Sequence, residues 1–231
     1  MAVDGIFLRY LLFELKPTLI NQRIHKAFFI NDHDLCFILP RKQQCLISFN
    51  PSTPHLRLTQ IPLMPTTHHL SAFLKKHIEG SIIKDIEQVG TDRIINIHLE
   101  RFDELGYQQK LILKVELTGR SSNLIVVDEH NKIKEALKKS YLSDERIVQI
   151  NALYSPVKNS QVNPYLEPNP QHENYQGVSS LLKREIVYIN ALSEVLNRPC
   201  NPTLFSFEKK YDYYAFDLIH VDAKRTYFPS L

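Results

Sequence analysis

The sequence predicts an α+β fold: two packed antiparallel sheets with flanking helices, followed by a small helical region. Three observations carry this expectation. Outside two helical stretches, the apolar residues come in short runs divided by turn chemistry, the mark of antiparallel meanders. The order is helix, three strands, helix, then four or five strands, which allows two sheets to pack face to face. Finally, Pro156 to Tyr175 is rich in proline, asparagine and glutamine and has almost no apolar period. It reads as a linker or long loop, and divides the chain into domains at 1–170 and 171–231.

Taken in order, Ile6 to Leu15 forms a buried amphipathic helix with Asp4 as its N-cap and Pro17 as its stop. Three short strands follow at Ala27 to Ile30, Leu35 to Leu39 and Leu46 to Phe49, and Pro51, Pro54, Pro62 and Pro65 then mark a loop. A second helix spans about Thr67 to Glu79, closed by Gly80, with Leu70, Phe73, Leu74 and His77 on one face. The second sheet draws on Ser81 to Val89, Asp92 to Glu100, Lys110 to Leu117, Asn123 to Val127 and Ile133 to Leu137. Glu100 to Glu104 is a charged hairpin tip. Beyond the linker, Gly177 to Tyr188 reads as a short helix opened by a serine cap, and Ile189 to Leu196 continues or follows it. Tyr211 to Val221 and Arg225 to Phe228 alternate as a hairpin would.

Composition narrows the function classes. A chain of 231 residues with 43% hydrophobic content is long enough for a large domain and a smaller appendage. Against 28 basic residues stand 25 acidic ones, so any nucleic-acid surface must be local. Cys36, Cys45 and Cys200 are three cysteines without CxxC spacing, which fits a reducing cytoplasm rather than a disulfide framework or zinc site. Charges at Asp4, Arg9, Glu14 and Lys16 break the apolar run a secretory signal needs, and no stretch of about 20 apolar residues suits a membrane span. No cofactor or metal is expected.

Catalytic signatures are absent: there is no GxSxG, Cys45 sits in an apolar run as a core residue, and His68-His69 diverge by about 100° on a helix. The turn Gly90-Thr91-Asp92-Arg93 places an acid beside a base where an apolar strand begins. Adjacent strand residues point to opposite faces, so the two are either a pair of outward-directed contacts or an ordinary charged turn. Thr118-Gly119-Arg120-Ser121-Ser122-Asn123 puts a glycine, a planar cation and small polar groups between two strands. It is either a phosphate-binding loop or a tight hairpin carrying an arginine. Lys75-Lys76, Arg41-Lys42 and Lys138-Lys139 are basic doublets able to neutralise phosphate or simply face solvent.

Asp4-Gly5, Leu74-Lys75-Lys76-His77-Ile78-Glu79-Gly80, Gly90-Thr91-Asp92-Arg93-Ile94 and Thr118 to Asp128, in this order, resemble the N-terminal domain of the NFACT family of ribosome quality control factors. Some members of that family were first described as fibronectin- or fibrinogen-binding. Gly177 to Tyr188 resembles the family's helix-hairpin-helix portion, and Tyr227 to Leu231 the start of its next segment. The resemblance therefore covers the whole chain and implies a longer protein continuing into a coiled coil. It also implies binding of the large ribosomal subunit carrying a stalled peptidyl-tRNA, recruitment of tRNA (alanyl-tRNA in bacteria of this type), and template-free C-terminal tailing. Peptide-bond chemistry would belong to the ribosome, so the chain itself would be no enzyme. The family's tRNA-contacting acid and Asp-Arg pair fall on Asp4, Asp92 and Arg93; Lys75, Lys76, Arg120, Ser121 and Asn123 are candidate phosphate or RNA contacts. Lys75 stands where arginine is usual and Ser121 where histidine is frequent, and lysine lacks the bidentate fork. The family's fold resembles the N-terminal domain of formamidopyrimidine-DNA glycosylases. Met1-Ala2-Val3-Asp4 lacks the N-terminal proline nucleophile such enzymes use. A fibronectin- or fibrinogen-binding surface protein is the other alternative, against which stand the free cysteines and the absence of a signal or anchor.

Overall fold

The computed structural model describes residues 3–102, 105–140, 146–167 and 174–231. Helix α1 (Gly5–Leu19) opens the fold, with the Asp4 carboxylate accepting from the Phe7 amide at 2.7 Å. It runs past Pro17, where the sequence predicts a stop. A proline there forfeits only the bond to the Phe13 carbonyl, and Phe13 is on the solvent face, 84% exposed. Ile6, Leu8, Leu11, Leu12, Leu15 and Leu19 face the core.

The first sheet is a four-stranded meander, β1 (Lys26–Phe29), β2 (Asp34–Ile38), β3 (Gln44–Ser48) and β4 (His55–Thr59). The strand β4 corrects the expected proline loop. Pro51, Pro54 and Pro62 flank it without interrupting its pairing with β3, as suits an edge strand. Helix α2 (Ser71–His77) is shorter than the predicted 67–79. The residues before it are tied to β1 instead: the Thr66 amide and hydroxyl both donate to the Phe29 carbonyl, and the His68 ring stacks on Phe29 at 3.8 Å.

The second sheet is a five-stranded meander, β5 (Ile82–Gln88), β6 (Ile94–Phe102), β7 (Gln108–Glu116), β8 (Asn123–Asp128) and β9 (Ile133–Ala136), all antiparallel. The charged hairpin tip predicted over Glu100 to Glu104 lies partly outside the described residues, at 103–104. One hydrophobic core joins α1 to both sheets through Phe29, Phe37, Ile47, Ile95, Leu113 and Val126. On the far side of the five-stranded sheet, Ile125, Val127, Ile133, Ala136 and Val148 form a smaller cluster.

The predicted boundary near residue 170 falls among 168–173, outside the described residues. What precedes it is a loop laid against the body: Arg9 sits over the Tyr165 ring at 4.6 Å, and the Tyr165 hydroxyl donates to the Leu196 carbonyl. Helices α3 (Ser180–Ile189, capped by Ser179) and α4 (Leu192–Leu196) lead into a three-stranded sheet. Its strands are β10 (Thr203–Ser206), β11 (Tyr211–Tyr214) and β12 (Lys224–Tyr227), in the order β11-β10-β12. The expected two-stranded hairpin is thus corrected. β11 and β12 each pair with β10, which fills the centre because Phe205 on it is fully buried. Leu182, Ile186, Phe205 and Phe216 join the same core as α1.

Candidate nucleic-acid interface

Antiparallel order brings three separate chain segments to one end of the five-stranded sheet. Ile94 pairs with Glu116 and Glu116 with Asn123, so the β5–β6 turn and the β7–β8 turn lie side by side. The Leu117 amide donates to the Arg93 carbonyl at 2.8 Å. Strand β9 ends at the same edge, where the Leu137 amide donates to the Leu124 carbonyl.

Asp92 and Arg93 occupy the turn just before β6 begins at Ile94. The strand begins two residues later than the predicted Asp92, so strand alternation does not set their directions; among the described residues they nevertheless form no ion pair with each other. The Asp92 carboxylate instead accepts from the Arg93 amide at 2.7 Å and from Asn159 Nδ2 at 2.9 Å. The charged ends of Arg93, Arg120, Lys138 and Lys158 have no hydrogen-bond or ion-pair partner among the described residues. Arg120 and Ser121 lie exposed on a single 3₁₀ turn, Gly119–Ser121. Beside them opens a cavity of about 480 Å³ lined by Ser121, Asn123, Lys138, Lys139, Arg146 and Lys158. Its wall is held by Glu116, a fully buried carboxylate that receives both ends of the Arg146 guanidinium, at 2.6 and 2.9 Å, and the Tyr154 hydroxyl at 2.9 Å.

Other predicted residues fall elsewhere or are already engaged. Asn123 is 6% exposed and bonds the Lys138 backbone with both halves of its amide, at 2.9 Å each, so it fixes the loop. Lys75 and Lys76 lie at the opposite end of the sheet: Arg101, near the end of β6, donates to the Lys76 carbonyl. Strand β6 has nine residues, and at roughly 3.4 Å per residue this separates the lysines from Arg93 by about 27 Å. Asp4 is 6% exposed. Its oxygens accept from the Phe7 amide, the Ser179 amide at 3.3 Å and the Tyr214 hydroxyl at 3.0 and 3.1 Å. Burial pushes its pKa above the ordinary carboxylate value although these bonds oppose the rise, and burial raises Tyr214 as well.

Lys158 and Asn159 were hidden within the apparent linker, and Arg146 and Tyr154 had no local motif. The one signal was Glu116, an acid between apolar Val115 and Leu117 at the end of β7, which demands a partner if buried. The unpaired ammonium groups of Lys138 and Lys158 on the cavity, with Arg93 and Arg120 on the neighbouring turns and the Asp92 carboxylate, are suited to phosphates and to base amines or ribose hydroxyls. Elsewhere, burial pushes the Cys45 thiol up to about 12 and Cys36 to about 11, as for core cysteines. Among the described residues no group of three or more His, Cys, Asp or Glu side chains could hold a metal ion.

The chain is similar to the Rqc2 homolog RqcH of Streptococcus pneumoniae serotype 2 (strain D39), 30% identical over 71% of this chain and 32% of that protein. It is also similar to the Rqc2 homolog RqcH of Bacillus subtilis (strain 168), 28% identical over 100% of this chain and 47% of that protein. The chain thus spans less than half the length of these relatives. The solved fibrinogen-binding protein from Staphylococcus aureus superposes with a TM-score of 0.83 at 26% identity, covering 100% of this chain and 96% of that one. In fold, the N-terminal part of the fibronectin/fibrinogen-binding protein from Streptococcus suis matches with a TM-score of 0.85 at 24% identity, over 99% of this chain and 96% of that one. Residues 4–197 match the family described as NFACT N-terminal and middle domains, and the chain therefore belongs to the NFACT family of ribosome quality control factors.

Proposed function

We propose that this chain is the tRNA-binding part of a ribosome quality control factor. In the whole protein it serves on large ribosomal subunits carrying stalled peptidyl-tRNA, where alanyl-tRNA supports template-free tailing of the nascent chain. The observation that carries this is the sheet end where Arg93, Arg120, Lys138 and Lys158 gather without partners among the described residues, next to Asp92. Arg93 forks onto phosphate and the carboxylate of Asp92 receives a base amine or ribose hydroxyl. Asp4 acts from inside the fold, and Lys75-Lys76 contact a different part of the RNA or none. The chain works in the cytoplasm and brings no catalytic centre of its own. No helix among the described residues is long and apolar enough to cross a membrane.

Sequencing the RNA that co-purifies with the full-length protein tests this. Enrichment of tRNA, led by alanine tRNA, is expected; RNA without tRNA would overturn it. The second reading, binding of fibrinogen, draws on the name of the Staphylococcus aureus structure. Surface labelling of intact cells against co-sedimentation with large subunits separates the two.

A further inference from the structure

Three pieces of chain cross at the back of the Asp92-Arg93 turn. Thr91 is 1% exposed, and its amide and hydroxyl both donate to the segment just before α3. The amide donates to Gln176 Oε1 at 3.0 Å; the hydroxyl donates to the Gln176 carbonyl at 2.9 Å and reaches Oε1 at 3.2 Å. The Thr91 carbonyl lies between the α-carbons of Gly5 and Gly177, so closely that a Cβ on either glycine would overlap it. Those two glycines are themselves joined where the Ile6 amide donates to the Gly177 carbonyl at 3.1 Å. Gln88 closes the junction, its Nε2 donating to the carbonyls of Gly5 at 2.7 Å and Asp92 at 2.8 Å.

A two-residue charged turn at a sheet end is ordinarily free to rock, since its backbone is held only by the hairpin. Here the Thr91 and Asp92 amides and the Asp92 carbonyl all have hydrogen-bond partners, and the Thr91 carbonyl is packed against Gly5 and Gly177. The Thr91 amide and hydroxyl take theirs from Gln176, 85 positions along the chain. Such a clamp fixes where the side chain after it points, and directional contacts are lost when their donors are held loosely.

We propose that Thr91 and Gln176 are positioning residues for RNA recognition, a latch that sets the direction in which Arg93 leaves the turn. This rests on the reading that Arg93 contacts tRNA. The latch makes recognition depend on the segment entering α3 although nothing in that segment need touch RNA.

The test measures binding of a labelled alanine tRNA transcript to the 231-residue chain, well below the unfolding midpoint and across a salt series. The variants are Thr91→Val, which keeps the shape and removes the hydroxyl, Thr91→Ser, which restores it, Gln176→Met and Arg93→Ala. Thr91→Val and Gln176→Met should each bind about tenfold more weakly, with the salt slope falling by about 0.9 as for Arg93→Ala, while Thr91→Ser stays within about twofold of the parent. A merely structural role would lower the unfolding midpoint and leave affinity and salt slope unmoved. If Thr91→Val does not fold, Gln176→Met, altered at a half-buried side chain, carries the test alone. Parental binding by Thr91→Val and Gln176→Met with loss in Arg93→Ala overturns the latch and leaves the RNA reading standing. Parental binding by Arg93→Ala overturns that reading, and the latch with it.

Discussion

Asp4 shows how much of a residue's work is local. Its role as the N-cap of α1 is legible from a single aspartate before an apolar helix, and the bond to the Phe7 amide delivers it. Its bonds to Ser179 and Tyr214 span 175 and 210 residues and leave no trace in the sequence. The carboxylate thereby knits the start of α1 to α3 and β11. Asp4→Ala leaves two amides and a buried hydroxyl without their acceptor and should cost about 2 kcal/mol of stability, measured by urea unfolding. Asp4→Asn, which keeps a capping oxygen, should cost less. A change below about 0.5 kcal/mol for the alanine variant would show these bonds to be idle.

Among the elements, those with clean alternation or a clear cap were readable: β5 to β8, the start of α1, and α3 with its Ser179 cap. The failures have physical causes. β4 was hidden by flanking prolines that turn out to lie outside its paired residues, and β10, Thr203–Ser206, follows directly on Pro202. The loop carrying Lys158 and Asn159 looked like a linker because its order comes from long-range anchors, chiefly Arg146 and Tyr154 on the buried Glu116. Arg146 also lies over the Tyr154 ring at 5.2 Å. Removing one partner of a buried ion pair strands the other, so Arg146→Ala should destabilise by about 3 kcal/mol. It should also raise hydrogen exchange across 146–159 ahead of the strands. Uniform exchange in parent and variant would mean the anchor does not hold the loop.

At the scale of the molecule, the α+β class and the two packed sheets followed from the order of apolar runs. Which residues share a sheet end did not, because that depends on register. The C-terminal region is held together by a second buried carboxylate, Glu185, which accepts from Arg198 at 2.5 Å, from the His220 ring at 2.6 Å, and from the Ile219 and His220 amides at 3.0 Å. Burial alone works to raise its pKa, but the bonds from His220, Arg198 and Ile219 outweigh burial and hold the carboxyl below its ordinary 4.5. A depressed folded pKa adds stability that is fully present above the unfolded value and is lost as pH falls through the folded one. The stability gap between the parent and Glu185→Gln should therefore be constant near neutrality and close as pH drops below about 4.5, followed by urea unfolding. A gap independent of pH would refute the assignment.

The central claim is that the sheet end carrying Asp92 and Arg93 captures tRNA, and the most direct measurement is tRNA capture by the double variant Asp92→Ala, Arg93→Ala. Charged turn residues contribute little to a core, so its unfolding midpoint should move by only a few degrees. The expected result is a folded protein that no longer retains tRNA on purification. A folded double variant that retains tRNA as the parent does would contradict the account.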